Sequence, residues 1–539
     1  MISKVDAFIL PILHTTWRGW VNLKYVILLL LFLCFANQSH AELNTLSDKD
    51  KKIKAVVESV SQYCGACHKV PPPSVMPRKD WPRAVQAMAD LAAERMGREF
   101  ISAEVVRDIT AFYYGSSPEI LPVLPYYPNT SQSQTFAASD MGDKSATPLV
   151  INVKAVELRE GRGTEFLICD AEHNQVLLLS RKGKSWQETV LADVQVPSHT
   201  EVVDFDQDGD KDILVGALGL MPPSDQLAGK LLLLRQSGTG EFIKELLLDG
   251  VGRITDVRPV DLDNDGDLDL AVSVFGGGKI GEIAWLENLG MGKYTKYDII
   301  KASGALNISL TDLNNDGKTD IVSLIAQEYE MVLALINKGA GEFEQISLAE
   351  APHPMFGSTG MRVVDLDGDK DPDILFTNGD AQDLQMDPKP YHGVQWLENK
   401  GKLEFQYHDI GRFYGAVTAV AGDLDSDGDL DIVASSWNNY WQNPQRQSLI
   451  WFENDGSQNF TRHNIGNEPR SIVTLELKDI TGDDRPDIIA GVFRMDMLIQ
   501  KMMTANEKVE EQSSEVSEQA LLKSRVILLE NRDIRNSHQ

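Results

Sequence analysis

The chain of 539 residues is 42% hydrophobic and 24% charged, enough to bury a large core and too well mixed to be disordered as a whole. Its 80 acidic residues against 51 Lys and Arg give a formal charge of -29, which argues against nucleic acid as the main partner because no basic stripe is available to replace phosphate counterions. Four cysteines cannot build a dense disulfide framework, so stability must come from apolar packing and from whatever cations the carboxylates hold.

The first element in the chain is an export signal. Lys4, Arg18 and Lys24 precede an apolar run of twelve residues, Tyr25 to Ala36, and Ser39-His40-Ala41 offers small residues to a signal peptidase. The run is shorter than the roughly 20 residues that cross a bilayer. Residues 1–41 therefore read as a signal peptide rather than an uncleaved anchor. Bulky Leu31-Phe32-Leu33 before Cys34 does not suit lipid attachment. The expectation is a mature chain that starts near Glu42, is periplasmic or otherwise exported, and keeps no transmembrane anchor.

Cys64-Gly65-Ala66-Cys67-His68 comes next, the spacing for covalent attachment of one haem c. Both thiols add to the vinyl groups, and the adjacent imidazole then lies beneath the iron. A zinc half-site or a redox dithiol shares the Cys-x-x-Cys spacing, but no second Cys/His pair lies nearby to complete a zinc shell. Ser47 and Asp48 can cap a helix carrying Ile53, Val56, Val57 and Val60, and after Pro71-Pro72-Pro73 a second helix is predicted from Asp80 to Met96. Ser102 opens a third, with Val105, Val106, Ile109 and Phe112 inward and Gly115 at its end. Residues 45–116 thus resemble a small all-α cytochrome c domain, and Trp81-x-x-x-Val85-x-x-Met88 resembles the axial-methionine segment of such proteins. The resemblance implies Met88 as the distal iron ligand, ahead of Met96 and Met76. A thioether ligand closes the iron to substrates and favours electron transfer.

After a Pro-rich linker, residues 117–130, one acidic nonapeptide recurs. Its first copy carries Asp204, Asp206, Asp208, Gly209 and Asp212; the second carries Asp261, Asp263, Asp265, Gly266 and Asp269. The third has Asp312, Asn314, Asp316, Gly317 and Asp320, the fourth Asp365, Asp367, Asp369, Lys370 and Asp373. Asp423, Asp425, Asp427, Gly428 and Asp431 form the fifth, while Asp479, Thr481, Asp483, Arg485 and Asp487 mark the sixth. Starts lie 57, 51, 53, 58 and 56 residues apart, one four-stranded blade per repeat. A second recurring strand, from Val176 to Leu179 through Val526 to Asn531, occurs seven times. The last copy lacks its following aromatic, and Phe136 stands where a decayed first repeat, Glu157 to Glu165, would place one. The strand around Phe136 should therefore complete the blade begun by Val526 to Asn531 and close the ring.

These motifs resemble FG-GAP/VCBS repeats, the blades of integrin α-subunit propellers. The resemblance implies a seven-bladed β-propeller over residues 131–533, with residues 534–539 as a tail, so the fold is mainly β with a small all-α domain in front. Carboxylates at positions 1, 3, 5 and 9 converge on one hard cation, for which calcium is the natural occupant; about four to six calcium ions are expected. Asn314 should weaken the third site, Lys370 replaces the turn glycine of the fourth, and Thr481 and Arg485 replace acidic positions of the sixth. A full oxygen shell leaves no open position for a substrate, so the ions should stiffen hairpins rather than catalyse.

Four excursions, Leu218 to Gly229, Thr377 to Gly393, Ser436 to Ser448 and Arg494 to Ser524, should emerge on the face opposite the acidic loops, joined by segments bearing His199, His353, Phe356 and Tyr414. Trp437, Tyr440 and Trp441 could stack on sugar rings, cover the haem domain or pack their own loop. The last excursion carries Met495, Met497, Met502 and Met503 and reads as a flap or a loop. No catalytic constellation is legible. The leading expectation is an electron-relaying cytochrome whose propeller docks a redox partner protein, a polysaccharide or a surface protein. An oxidoreductase with its substrate on the propeller and haem as acceptor is the alternative, and a glycan-binding or adhesion protein a third.

Overall fold

The computed structural model describes residues 48–127, 134–145, 147–159, 161–238, 240–327, 329–381, 387–494 and 523–533. The expected signal peptide, the methionine-rich excursion and the tail lie outside these residues. The chain divides into two compact units, Met1–Gln62 and Tyr63–Gln539, and the boundary falls within helix α1, Asp48–Cys64. Among the described residues no helix is long and apolar enough to cross a membrane.

Seven four-stranded antiparallel sheets form a seven-bladed β-propeller. Six blades are each built from consecutive strands, and the seventh combines Ile472–Lys478, Asp487–Val492 and Lys523–Asp533 with the first strand of the chain, Gln134–Ser145. Phe136 pairs with Asn531, so the ring closes by the register read from the sequence. Pairing the two ends of the chain leaves no blade incomplete.

Sequence pattern explains the position of each strand. The second strand of every blade, such as Asp212–Ala217 or Asp431–Ser436, is buried along its whole length and is mostly apolar after its leading acidic residue. Outer strands such as Ser185–Asp193 alternate between partly buried and exposed residues because one face meets water. The core lies between blades: Leu214, Leu231 and Leu233 of the second blade pack with Ile254, Val257, Leu270 and Val272 of the third. Each such side chain contributes about 1.5–3 kcal/mol on burial. The Leu167-Ile168-Cys169 run is the fully buried second strand of the first blade.

Before the propeller, α2 spans Trp81–Met96 and ends on Gly97 at φ 64°, a left-handed cap that favours glycine. Helix α3 spans Ala103–Ser116, and the Ser102 hydroxyl accepts the Val105 amide at 3.4 Å as predicted for an N-cap. Its most buried aromatic is Tyr113 rather than Phe112, and Gly115 lies inside the helix rather than at its stop. Tyr113 stacks on Trp81 at 3.8 Å between ring centroids and donates to the Pro71 carbonyl at 3.0 Å. The linker that follows lies on the fifth and sixth blades. Leu124 donates its amide to the Tyr414 hydroxyl at 2.9 Å, while Arg446 and Arg462 lie over the rings of Tyr126 and Tyr127 at 4.5 and 4.2 Å.

Candidate functional site

The Cys64-Gly65-Ala66-Cys67-His68 motif begins on the last turn of α1. Cys64 is partly buried, Cys67 is exposed, and neither is in a disulfide. Burial pushes the Cys64 thiol up, partly offset by a hydrogen bond with Tyr113. His68 Nδ1 lies 2.9 Å from the Lys69 carbonyl. A carbonyl only accepts, so Nδ1 is the donor in this contact, and in the neutral ring the lone pair is then on Nε2. Of the predicted distal ligands, Met88 and Met96 are 48% and 49% exposed on α2, whereas Met76 is 1% exposed. Val70 and Tyr114 are also exposed at 38% and 50%.

On the propeller, the acidic nonapeptides connect the first and second strands of the second to seventh blades, and so share one face. Their geometry repeats closely. The carboxylate at position 1 accepts the amide of position 6: Gly209 to Asp204 at 3.1 Å, Gly266 to Asp261 at 3.1 Å, Gly428 to Asp423 at 3.1 Å. Two residues per loop take left-handed backbone, not only the glycine at position 6. Gln207, Asn264, Asn315 and Ser426 at position 4 have φ of 59°, 63°, 58° and 63°. In the fourth loop Lys370 adopts φ 77° and its amide still reaches Asp365 at 3.0 Å, so the turn forms without its glycine.

The carboxylates do not act alike. Among the described residues, oxygen atoms within 4.8 Å of one another are offered by Asp204, Asp206 and Asp208; by Asp261, Asp263 and Asp265; by Asp365, Asp367 and Asp373; and by Asp423, Asp425 and Asp431. In the same four loops one buried carboxylate oxygen lacks any hydrogen-bond partner: Oδ1 of Asp204, Asp261, Asp365 and Asp425. Asp212, Asp269, Asp369 and Asp427 fall outside these groups. The third loop, with Asp312, Asn314, Asp316 and Asp320, forms no such group; Asn314 donates to Asp316 at 3.2 Å and Lys318 lies 3.6 Å from it. In the sixth, Arg485 pairs with Asp483 at 2.5 Å and Thr481 donates to Asp479 at 3.4 Å. Each of those two loops pairs one of its carboxylates with a basic side chain of its own.

The Asp at position 9 has a second task that its spacing did not reveal. Asp212 accepts the Phe205 amide at 3.2 Å and the Gln236 amide of the third strand at 2.8 Å. Asp269, Asp320, Asp373, Asp431 and Asp487 repeat the arrangement, each accepting from its own loop and from an Asn on the third strand. The residue tethers the loop to the blade, and Asp373 and Asp431 also face the cluster. Burial pushes Asp373 up to about 6 and Asp431 up to about 7. Glu165 occupies this position in the first blade, where it pairs with Arg159 and is 1% exposed, so that decayed repeat is satisfied without a cation.

Residues on the third strand also reach the loops. The position before the tethering Asn is Glu287, Glu398 or Glu453 in the third, fifth and sixth blades, and Arg235 stands there in the second, paired with Asp206. Burial first, then nearby carboxylates including Glu287, Glu398 and Glu453, pushes Asp263, Asp367 and Asp425 up. These glutamates lie more than 20 residues in sequence from Asp263, Asp367 and Asp425, the aspartates they approach.

One expectation is corrected, and one alternative is decided for Trp437. His199 is not on the excursion face but in the inner strand Pro197–Val203, 3.3 Å from Asp256 in an ionic network that also joins Lys154, Glu201 and Arg258. Trp437 is not offered to a ligand: it is buried and donates its indole N–H to the Gly379 carbonyl at 2.8 Å. Tyr440 packs edge-on against Tyr414 at 5.2 Å.

No curated protein matches the chain. The FG-GAP-like repeat family matches residues 204–272 and 312–376, which hold the first four acidic loops. The seven-bladed β-propeller is therefore built in part from FG-GAP-like repeats.

Proposed function

We propose that the chain is an exported monohaem c-type cytochrome that relays single electrons, with its propeller serving as the docking scaffold for a redox partner protein. The observation that carries this reading is the Cys64-Gly65-Ala66-Cys67-His68 motif with both thiols free and the His68 proton held on Nδ1. Cys64 and Cys67 would hold the porphyrin through thioethers, His68 would offer Nε2 and Met88 its sulfur. When bound, haem supplies a reversible one-electron couple. The half-exposed apolar side chains of Val70, Met88 and Met96 support the fit, because a porphyrin would remove such surface from water.

The chain's own residues do the rest. The Lys69 carbonyl fixes the His68 tautomer, and the Trp81–Tyr113 stack with its hydrogen bonds to Pro71 and Pro73 fixes the bend that leads into α2. On the other face of the propeller, the four acidic loops with an orphaned oxygen fit hard dications, calcium above all, in a structural role. Visible spectra of periplasmically matured protein test the reading. A far-red thioether-to-iron band that disappears in Met88→Ala is expected, and its survival in that variant would move the assignment to Met96 or Met76.

A further inference from the structure

His68 is followed by a residue that touches the propeller. The Lys69 ammonium lies 3.0 Å from Glu350 and donates to the Ala351 carbonyl at 3.2 Å, at the end of the fourth blade's outer strand Glu342–Glu350. The same residue's carbonyl accepts the His68 Nδ1 proton at 2.9 Å. One residue therefore joins the imidazole to a blade. A second clamp lies on the third blade, where Arg95 donates to the Gly278 carbonyl at 3.0 Å and Glu94 pairs with Lys279 at 2.6 Å. The loop that receives it is held by Asp225, which accepts the amides of Gly277, Lys279 and Ile280 at 2.7, 3.2 and 3.3 Å. The receiving surface is thus fixed, and α2 is held to it independently of Lys69.

We propose that Lys69 is a positioning residue through which the propeller controls the orientation and hydrogen bonding of the His68 imidazole. The proposal rests on the haem reading above. An imidazole that donates Nδ1–H to a well-placed carbonyl is a more basic ligand, which stabilises ferric iron and lowers the potential. Freeing the Lys69 side chain lets its carbonyl drift and weakens that bond, so the potential rises. Simple loss of a positive charge near the iron does the opposite, because it favours the ferric state. The sign of the change therefore separates positioning from charge.

The experiment is a spectroelectrochemical titration of the full matured chain, with intact mass measured on each sample. Lys69→Ala is expected to favour reduction about threefold, roughly 28 mV upward at 59 mV per tenfold for one electron. Lys69→Arg, which keeps the charge and the reach to Glu350, should restore the original potential. Should Lys69→Ala fail to mature, Lys69→Met serves the same purpose with a longer side chain. A fall in potential, or none, in the variant lacking the ammonium overturns the inference while the haem reading stands. A wild-type mass without haem overturns the reading itself, and with it this inference.

Discussion

The propeller and the helical segment in front of it solve the problem of apolar surface in different ways. Every blade hides a fully buried second strand of six or seven residues between its neighbours, and the seventh is completed by Gln134–Ser145 from the other end of the ring. On the helical segment that carries the Cys64 to His68 motif, by contrast, Val70, Met88, Met96 and Tyr114 stay between 38% and 50% exposed. A ring closed on itself is complete from its own residues, whereas the helical segment offers apolar surface that a bound group would cover. The difference teaches where each part can draw its stability: blade packing on one side and, on the reading proposed above, a bound group on the other.

Breaking the helical side should have the largest effect. Replacing both Cys64 and Cys67 with Ala should abolish covalent haem and reduce helical circular dichroism, with the β signal of the propeller kept. Loss of both signals together would refute the independence of the two parts. Removing cations attacks the other side. Chelation should lower the propeller melting transition by calorimetry, with about 2.7 kcal/mol lost for each site previously held at 100 times its Kd. The haem spectrum should not change, and an unaltered melting curve would count against occupied loops.

Acid should likewise act on the propeller first. Burial holds His353 down to about 4 and His392 down to about 3, against an unfolded value of about 6.5. Groups with depressed folded values of this kind bind protons preferentially when unfolded, so their contribution is complete above about pH 6.5 and declines as pH falls. At pH 5 the loss is about 2 kcal/mol per imidazole. Denaturant melts of His392→Phe should show a shallower decline with acid than the parent protein. An equal slope would show that His392 does not govern it. The smallest expected change sharpens the account of the loops: Lys370→Gly, which relieves a left-handed lysine at φ 77°, should raise stability by about 1 kcal/mol in chemical denaturation. A destabilised variant would mean that the Lys370 side chain has a role of its own.

Much of the propeller was legible because its information is local and repeated. The seven copies of the strand that ends in Asn counted the blades where the six acidic loops alone did not, and the missing aromatic after Asn531 pointed to Phe136, its actual pairing partner. The helix start at Ser102 was readable from capping chemistry, while Tyr113, buried against Trp81, was passed over for Phe112. Within the loops, the turn glycine and the acidic positions stand out. The left-handed residues at position 4 do not, since Gln207 and Ser426 carry no mark of positive φ. Nor could spacing reveal that Asp212 and its counterparts tether the third strand, or that Arg235 stands where Glu398 and Glu453 stand in other blades. Those relations join residues brought side by side only by sheet register.

The most direct test of the central claim is the intact mass of the chain produced in an exporting host with haem-attachment capacity. The account requires an increase equal to one haem, lost on replacement of Cys64 and Cys67. An unmodified mass from a folded propeller would contradict it.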